Sequence, residues 1–132
     1  MSLHSYSRVW LHLTWATLER RPLLAQPAAV KLSAYLTQYS AEKKIYMKIN
    51  FVNADHVHAL IDLPTALSIE EVMHLLKGAS SHWVNENTLC QGKFGWGHGY
   101  GVFRYHIPAL RGWPGTLPTR RSIIESAALP KS

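Results

Sequence analysis

The sequence lacks three features, each of which would define a class of protein. Its single cysteine, Cys90, excludes a disulfide framework and a cysteine-based zinc site. It shows neither a signal-peptide pattern nor an apolar run of membrane length, which predicts a cytoplasmic protein with no membrane partner. Acidic residues are scarce, with 8 Asp and Glu against 14 Lys and Arg. The net charge of +6 favours a polyanionic partner, nucleic acid first.

The rest of the composition is that of an ordinary folded protein. With 132 residues, 47% of them hydrophobic, the chain is long enough to bury a core of its own. Only 17% of residues are charged, which argues against disorder. No internal repeat or linker interrupts the chain, so these features predict one main folded unit.

The stretch 53–63 predicts a turn followed by a half-buried strand. Its alternation places His56 and His58 on one face and an apolar set on the other, namely Val57, Ala59, Ile61 and Leu63. Two neutral imidazoles one pleat apart can bind one divalent ion together. Asp62 lies roughly 13 Å along the strand from His58 and cannot complete such a site. The alternative interpretation is a pair of surface histidines without a ligand.

Period changes and end signals predict the other elements. In chain order these are a strand over Ser7–Thr17, a helix from about Pro27, a strand over Lys44–Val52 that pairs with the His56 strand, a helix from the Ser68/Glu71 capping box to about Asn87, and a Gly-rich strand pair or edge segment over Phe94–Phe103.

This order predicts an α+β fold, a ferredoxin-like (RRM-like) two-layer sandwich with an antiparallel sheet and both helices on one face. The other face is expected to stay available. It would display basic and aromatic residues suited to single-stranded nucleic acid, namely Arg8, Trp10, His12, Tyr46, Lys48, Asn50, His56 and His58.

Four blocks of the sequence resemble the HUH-type single-tyrosine transposases, the small transposases of insertion sequences and REP-associated elements. The blocks are Asn-Ala-Asp-His-Val-His-Ala-Leu-Ile at 53–61, Leu-Lys-Gly-Ala-Ser-Ser at 76–81, Trp-Leu-His-Leu-Thr-Trp-Ala-Thr at 10–17 with Arg-Arg-Pro at 20–22, and the segment 94–103. The resemblance covers the chain from about residue 5 to residue 103, in order and with family-like spacing.

The resemblance implies a homodimer that binds a hairpin of single-stranded DNA at the end of a mobile element. In such enzymes a tyrosine on a C-terminal helix attacks a phosphodiester, forming a 5′-phosphotyrosine and freeing a 3′-hydroxyl. Mg²⁺ or Mn²⁺ is held by two histidines, which His56 and His58 match, and by a third polar ligand, often a Gln one helical turn after the tyrosine. The ion would polarise the scissile phosphate.

The C-terminal part departs from this family pattern. No Tyr-x-x-x-Gln helix follows Phe103, and Tyr105 is too close to Pro108 to lie in a long helix. Tyr100 belongs to the matched strand block, and the short helical stretch 122–129 has no tyrosine. The catalytic nucleophile is therefore unassigned.

The sequence consequently divides into a transposase-like domain at 1–103 and an atypical tail at 104–132. Two interpretations of the tail remain. In one, a reading-frame shift near the codon for Arg104 has replaced the family's C-terminal helix with unrelated sequence. In the other, the tail is divergent but functional. His98 and His106 are the alternatives for a third metal ligand. The DNA-binding residues expected at the sheet and its rim are Arg8, Arg20, Arg21, Lys48 and Lys77.

Three functions fit these observations. The first is a transposase-family DNA enzyme, with its catalysis impaired if the nucleophile is lost. The second is a non-catalytic module that binds single-stranded nucleic acid on the same sheet. The third is an RNA-binding fold of the same shape, for which Trp10 and Tyr46 do not supply the usual aromatic pattern.

Overall fold

The computed structural model of the protein describes residues 9–106. Its elements are β1 (Val9–Ala16), α1 (Gln26–Glu42), β2 (Tyr46–Val52), β3 (His56–Asp62), α2 (Ile69–Glu86) and β4 (Gly101–His106). The strands form one antiparallel sheet in the order β2-β3-β1-β4, the ferredoxin-like arrangement. The predicted α+β sandwich is therefore confirmed.

The core lies between one face of the sheet and the two helices. On this face β1 and β3 contribute alternate residues that are at most 2% exposed, namely Leu11, Leu13, Trp15, Val57, Ala59 and Ile61. The helices pack against this face with apolar stripes that include Leu32, Leu36, Val72 and Leu76. Burying each large apolar side chain contributes about 1.5–3 kcal/mol, so alternation in the strands and the helical period fix which face carries the core.

The ends of the helices follow from local chemistry. The Ser68 side chain accepts a hydrogen bond from the backbone N–H of Glu71 (3.0 Å), and the Glu71 carboxylate accepts one from the backbone N–H of Ser68 (2.8 Å). This is the predicted capping box. In α1 the first turn contains Pro27, whose missing N–H costs nothing there. Among residues 9–106, no helix combines the length and apolar character needed to cross a membrane.

A bulge in β2 changes which residues face the helices. The pairing of β2 with β3 shifts register between Met47 and Ile49, so that one extra residue lies on β2. After the shift Ile49 pairs with Leu60 and Phe51 pairs with His58. These two apolar residues therefore lie on the face opposite the helices, whereas a β2 strand without the bulge would place them on the core face.

Asn50 is consequently turned toward the helices, and its predicted place on the nucleic-acid face is wrong. The side chain is 5% exposed and forms three hydrogen bonds with α1. Its Oδ1 accepts from the Ser33 hydroxyl (2.6 Å), and its Nδ2 donates to the Ser33 carbonyl (3.2 Å) and to the Thr37 hydroxyl (3.0 Å). These bonds satisfy a buried polar group that an unbulged strand would have placed on the other side.

The face opposite the helices is called the histidine face, after His12, His56 and His58. Its centre is closed, in contrast to the expectation of an available surface, since His12, Thr14, His58 and Leu60 are at most 1% exposed. Exposure is greater at the outer strands, where Tyr46 of β2 is 47% exposed and Phe103 of β4 is 37% exposed. Direct contact with a polymer is therefore easier at the rim of this face than at its centre.

The predicted edge segment 94–103 is mostly a packed loop. Phe94 is buried, and Asn85 holds its backbone by accepting from its N–H (2.8 Å) and donating to its carbonyl (3.0 Å). The indole N–H of Trp96 donates to the Ser80 hydroxyl (2.9 Å). Regular pairing begins only at Gly101, and β4 continues to His106, so residues 104–106 of the predicted tail lie in the sheet.

Replacing Gly101 with alanine is expected to destabilise the fold. A Cβ at Gly101 would lie 2.8 Å from Cγ2 of Thr14, which is fully buried and paired opposite it. Overpacking of this kind costs about 1–3 kcal/mol. The matched control is Gly78→Ala in α2, where a Cβ meets no atom within 4 Å and should stabilise the helix by about 0.5–1 kcal/mol. Urea unfolding measures both, and a Gly101→Ala variant as stable as the parent would contradict the packing argument.

Candidate metal centre and nucleic-acid interface

His56 and His58 lie on the histidine face, two residues apart on β3. They pair with Ala16 and Thr14 of β1, respectively. Their ring centroids are 4.9 Å apart and the ring planes are nearly perpendicular, at 85°. The two imidazoles therefore share one side of the sheet and lie close enough to approach a common ligand.

The orientation of His56 is set by its neighbour in the β2–β3 turn. Nδ1 of His56 lies 2.6 Å from Oδ1 of Asp55. An ionised carboxylate only accepts, so the Nδ1–H of His56 donates and the lone pair of a neutral ring is left on Nε2. Asp55 also lies 3.8 Å from the Arg20 guanidinium. The carboxylate thus fixes a histidine and an arginine at the same end of the sheet.

His58 is held by a histidine from the adjacent strand. Nδ1 of His58 lies 2.9 Å from Nε2 of His12, and both side chains are buried. Burial lowers the pKa of His12 to about 4, with a smaller contribution from His58. Burial likewise lowers the pKa of His58 to about 4, with a smaller contribution from His56. Both rings are therefore neutral near pH 7, the form that binds metals.

These residues fit a divalent ion as an incomplete site. Nδ1 of each histidine is engaged with a neighbouring side chain, the arrangement that orients metal-binding imidazoles in proteins. The nitrogen of each ring that is left to bind an ion is therefore Nε2, in both His56 and His58. Within residues 9–106 no group of three or more His, Cys, Asp and Glu side chains is arranged to hold a metal. The remaining ligands would have to be water, a phosphate oxygen or other protein groups.

The predicted arginines lie on a strained turn beside this centre. Glu19 and Arg20 have φ values of 57° and 54°, in the left-handed region that costs non-glycine residues about 1–2 kcal/mol each. Thr17 holds the turn, because its N–H donates to the Asp55 carbonyl (2.9 Å) and its hydroxyl to the Arg21 carbonyl (2.6 Å). Arg21 is mostly exposed and pairs with Glu19 (2.7 Å).

The predicted lysines occupy different surroundings. The Lys48 ammonium lies 5.7 Å from the ring centroid of Trp10 and 5.5 Å from that of Tyr46, which forms a basic aromatic cluster on the histidine face. The Lys77 ammonium instead donates to the carbonyls of Gly97 (2.8 Å) and Gly99 (3.0 Å), and burial lowers its pKa. Lys77 thus ties α2 to the loop before β4.

The remaining predicted site residues lie before β1, in the loop before β4, and in β4 or the tail after it. Arg8 lies outside the described residues, as do positions 107–132 of the tail. His98 and Tyr100 are exposed in the loop before β4. Tyr105 lies in a strand, in agreement with the expectation that it does not occupy a long helix. The structure brings together His56, His58 and Arg20, while DNA contact by all five basic residues stays a prediction.

Two residues of the centre were not identified from the sequence. Asp55 belongs to the turn block, but only the folded geometry shows its carboxylate on His56. His12 was predicted to share the histidine face, yet its contact with His58 depends on the β1–β3 register. His12 pairs directly with Leu60, so it reaches His58 as a diagonal neighbour across the sheet. The sequence signal that could have identified His12 was a histidine on a central strand, β1, whose side chain shares a face of the sheet with His56 and His58.

The fold and site define an α+β domain with a ferredoxin-like sheet and a histidine pair opposite its helices. The family model for IS200-like transposases matches residues 5–107, and the chain belongs to that family. A crystal structure of a candidate transposase from Deinococcus radiodurans R1 is similar in fold, with a TM-score of 0.65 and 24% sequence identity over 73% of this chain and 78% of that one. No curated protein matches the chain.

The stability of the metal-free protein should fall as the pH falls below neutral. In the unfolded chain each histidine protonates near pH 6.5, whereas buried His12 and His58 stay neutral to about pH 4. Protons therefore bind the unfolded state preferentially between these values, and stability present above about pH 6.5 is lost on acidification. The expected loss between about pH 7 and about pH 5.5 is about 1 kcal/mol for each buried ring.

Urea unfolding in a chelating buffer at these pH values measures the effect. His12→Gln should lose less stability on acidification than the parent, because one depressed titration is removed. His74→Gln, at an exposed position of α2, is the matched control and should retain the parental loss. An equal loss in the parent and His12→Gln would contradict the assignment.

Proposed function

We propose that this member of the IS200-like transposase family binds hairpin single-stranded DNA from a mobile-element end and holds Mg²⁺ or Mn²⁺ on His56 and His58. The observation that carries the proposal is the paired geometry of these histidines, each with Nδ1 engaged and Nε2 left for a ligand. The family relation supplies DNA as the partner. A DNA phosphate would approach the pair from the side of His56, whose side chain is 14% exposed, because His58 is only 1% exposed.

Each part of the centre has a separate task in this proposal. A bound divalent ion would polarise a phosphate and offset charge on the leaving oxygen. Asp55 keeps the His56 ring in the tautomer that can bind the ion. Arg20, which pairs with the same carboxylate, would donate hydrogen bonds from its guanidinium to a neighbouring phosphate. Tyr46, which is 47% exposed, and Lys48 beside it offer an aromatic and basic surface for a base and its phosphate, while the ring of Trp10, packed against Tyr46, is buried.

We further propose that the chain binds DNA without forming the phosphotyrosine link of its family. The Tyr-x-x-x-Gln pattern is missing after Phe103. On α1, Tyr35 and Tyr39 have pKa values raised first by burial, which disfavours the tyrosinate that attack requires. The ring of Tyr35 is also stacked on Trp83, at 4.5 Å between centroids. The rival proposal is cleavage by a tyrosine of the divergent tail.

The two proposals differ in a single measurement. The protein is incubated with labelled hairpin DNA and Mn²⁺, and denaturing gels are examined for a covalent protein–DNA product. We expect complex formation in native gels and no covalent product. A covalent product that maps to any tyrosine by peptide sequencing would overturn the loss of the nucleophile, and a product that disappears in Tyr105→Phe would assign it to the tail.

DNA affinity should depend on salt and on the two arginines of the strained turn. Phosphate contacts release counterions, so each lost contact lowers both the affinity and its salt dependence. Arg20→Ala combined with Arg21→Ala is expected to weaken hairpin binding by at least about tenfold and to reduce the salt slope by about two. Fluorescence anisotropy over a salt series measures both quantities.

The matched control removes the same charge elsewhere. Lys31 lies exposed on α1 and Lys93 lies exposed in the loop after α2. Lys31→Ala combined with Lys93→Ala should leave the salt slope close to that of the parent. Equal weakening by both double variants would show that net charge, and not the position of the arginines, governs binding.

A homodimer is part of the same proposal, with the segment 94–103 near the interface. Among residues 9–106 β4 is an edge strand of the sheet, and Tyr100 just before it and Phe103 within it are 41% and 37% exposed. An exposed aromatic edge is suited to pairing with a second copy. Light scattering at tens of micromolar, roughly where a standard interface is populated, should give twice the chain mass. A single-chain mass would exclude the dimer.

A further inference from the structure

We propose that His12 is a positioning residue for the candidate metal centre: it accepts a hydrogen bond from His58 and so keeps Nε2 of His58 free of its proton. This inference rests on the proposed function, because it names how one of the two ligands is prepared. His12 itself lies behind His58, with its Nε2 2.9 Å from Nδ1 of that ring. It is not a ligand in this arrangement.

The contact between the two histidines admits two proton arrangements. A nitrogen–nitrogen hydrogen bond needs one donor and one acceptor. If His58 donates from Nδ1, its Nε2 carries a lone pair and can bind an ion. If His12 donates from Nε2, His58 must accept at Nδ1, its proton lies on Nε2, and the ring has no ligand atom on that side. The choice between these arrangements decides whether His58 is competent.

The geometry of the neighbouring ring favours the first arrangement. The carboxylate of Asp55 accepts from Nδ1 of His56, so a neutral His56 ring has its proton on Nδ1 and its lone pair on Nε2. Because Nδ1 of each ring is engaged by a neighbour, an ion shared by the two rings, which lie 4.9 Å apart, would have to bind Nε2 of both, and His58 must then carry its proton on Nδ1. His12 then serves His58 as Asp55 serves His56. The two ligands would differ in the charge behind them, with a carboxylate for one and an imidazole for the other.

The position of His12 in the fold makes it a rigid partner. β1 is a central strand, hydrogen-bonded to β3 on one side and to β4 on the other. The His12 ring is fully buried, with its centroid 5.1 Å from that of His58 and 5.8 Å from that of Phe103. A ring packed in this way holds its acceptor nitrogen at a fixed distance, which is what orients an imidazole before the ion binds.

The first test reads the proton arrangement directly, without any metal. Nitrogen NMR of the metal-free protein distinguishes a protonated Nδ1 from a protonated Nε2 in each histidine. We expect His58 to carry its proton on Nδ1 and to have an unprotonated Nε2. A His58 ring protonated on Nε2 in the parent protein would overturn the inference, whatever the protein does with DNA.

The second test measures Mn²⁺ affinity by titration of the whole chain, with free Mn²⁺ followed by electron paramagnetic resonance. His12→Leu keeps a side chain of similar volume but removes the acceptor nitrogen Nε2, and it should weaken Mn²⁺ binding by about 10- to 100-fold. His12→Gln places an amide oxygen near the Nε2 position and should recover most of that loss. His74→Leu, on the exposed part of α2, is the matched control and should bind as the parent does.

The outcomes separate this inference from the proposed function. If His56→Ala and His58→Ala leave Mn²⁺ binding unchanged, the metal centre itself is wrong. If those variants abolish binding while a folded His12→Leu binds like the parent, only the role of His12 is wrong. If His12→Leu does not fold, failure of His12→Gln to retain more than a tenth of the parental affinity counts against the inference.

Discussion

The register between β1 and β3 is the constraint on which the candidate site depends. Thr14 pairs with His58 and His12 with Leu60, and this pairing puts the two histidines on diagonal positions of one face. A slip of one residue would turn every side chain of one strand to the opposite face. In β1 it would expose Leu11, Leu13 and Trp15, bury His12 against the helices and separate it from His58. The apolar core and the candidate metal centre therefore depend on the same pairing.

The parts of this molecule that were predictable are those coded by local chemistry. Strand alternation gave the shared face of His56 and His58, and the capping box gave the start of α2 at Ser68. The β2–β3 hairpin followed from two apolar runs joined by a short turn. Each of these features depends only on residues close together in the chain, so it can be predicted from the local sequence.

The parts that were missed depend on the assembled backbone. The β2 bulge has no glycine or proline to announce it, and it sends Asn50 to α1. The left-handed conformations of Glu19 and Arg20 are imposed by Thr17 and the β2–β3 turn, not by their own preferences. His12 and His58 are 46 positions apart. Such contacts form only when distant strands pair in a particular register. Local sequence patterns do not specify that register, so they could not predict these contacts.

The bulge in β2 also makes the two borders of the sheet unequal. β2 is one outer strand, and an irregular backbone with a lysine beside it is a poor template for further hydrogen bonding. Native proteins use both devices to prevent strands of different molecules from joining into open-ended aggregates. β4, at the opposite border, pairs with β1 over six consecutive residues without a register shift. Within residues 9–106, strand addition to this sheet is thereby directed to the β4 border, and contact through a single border can close on two molecules but cannot propagate into a longer series.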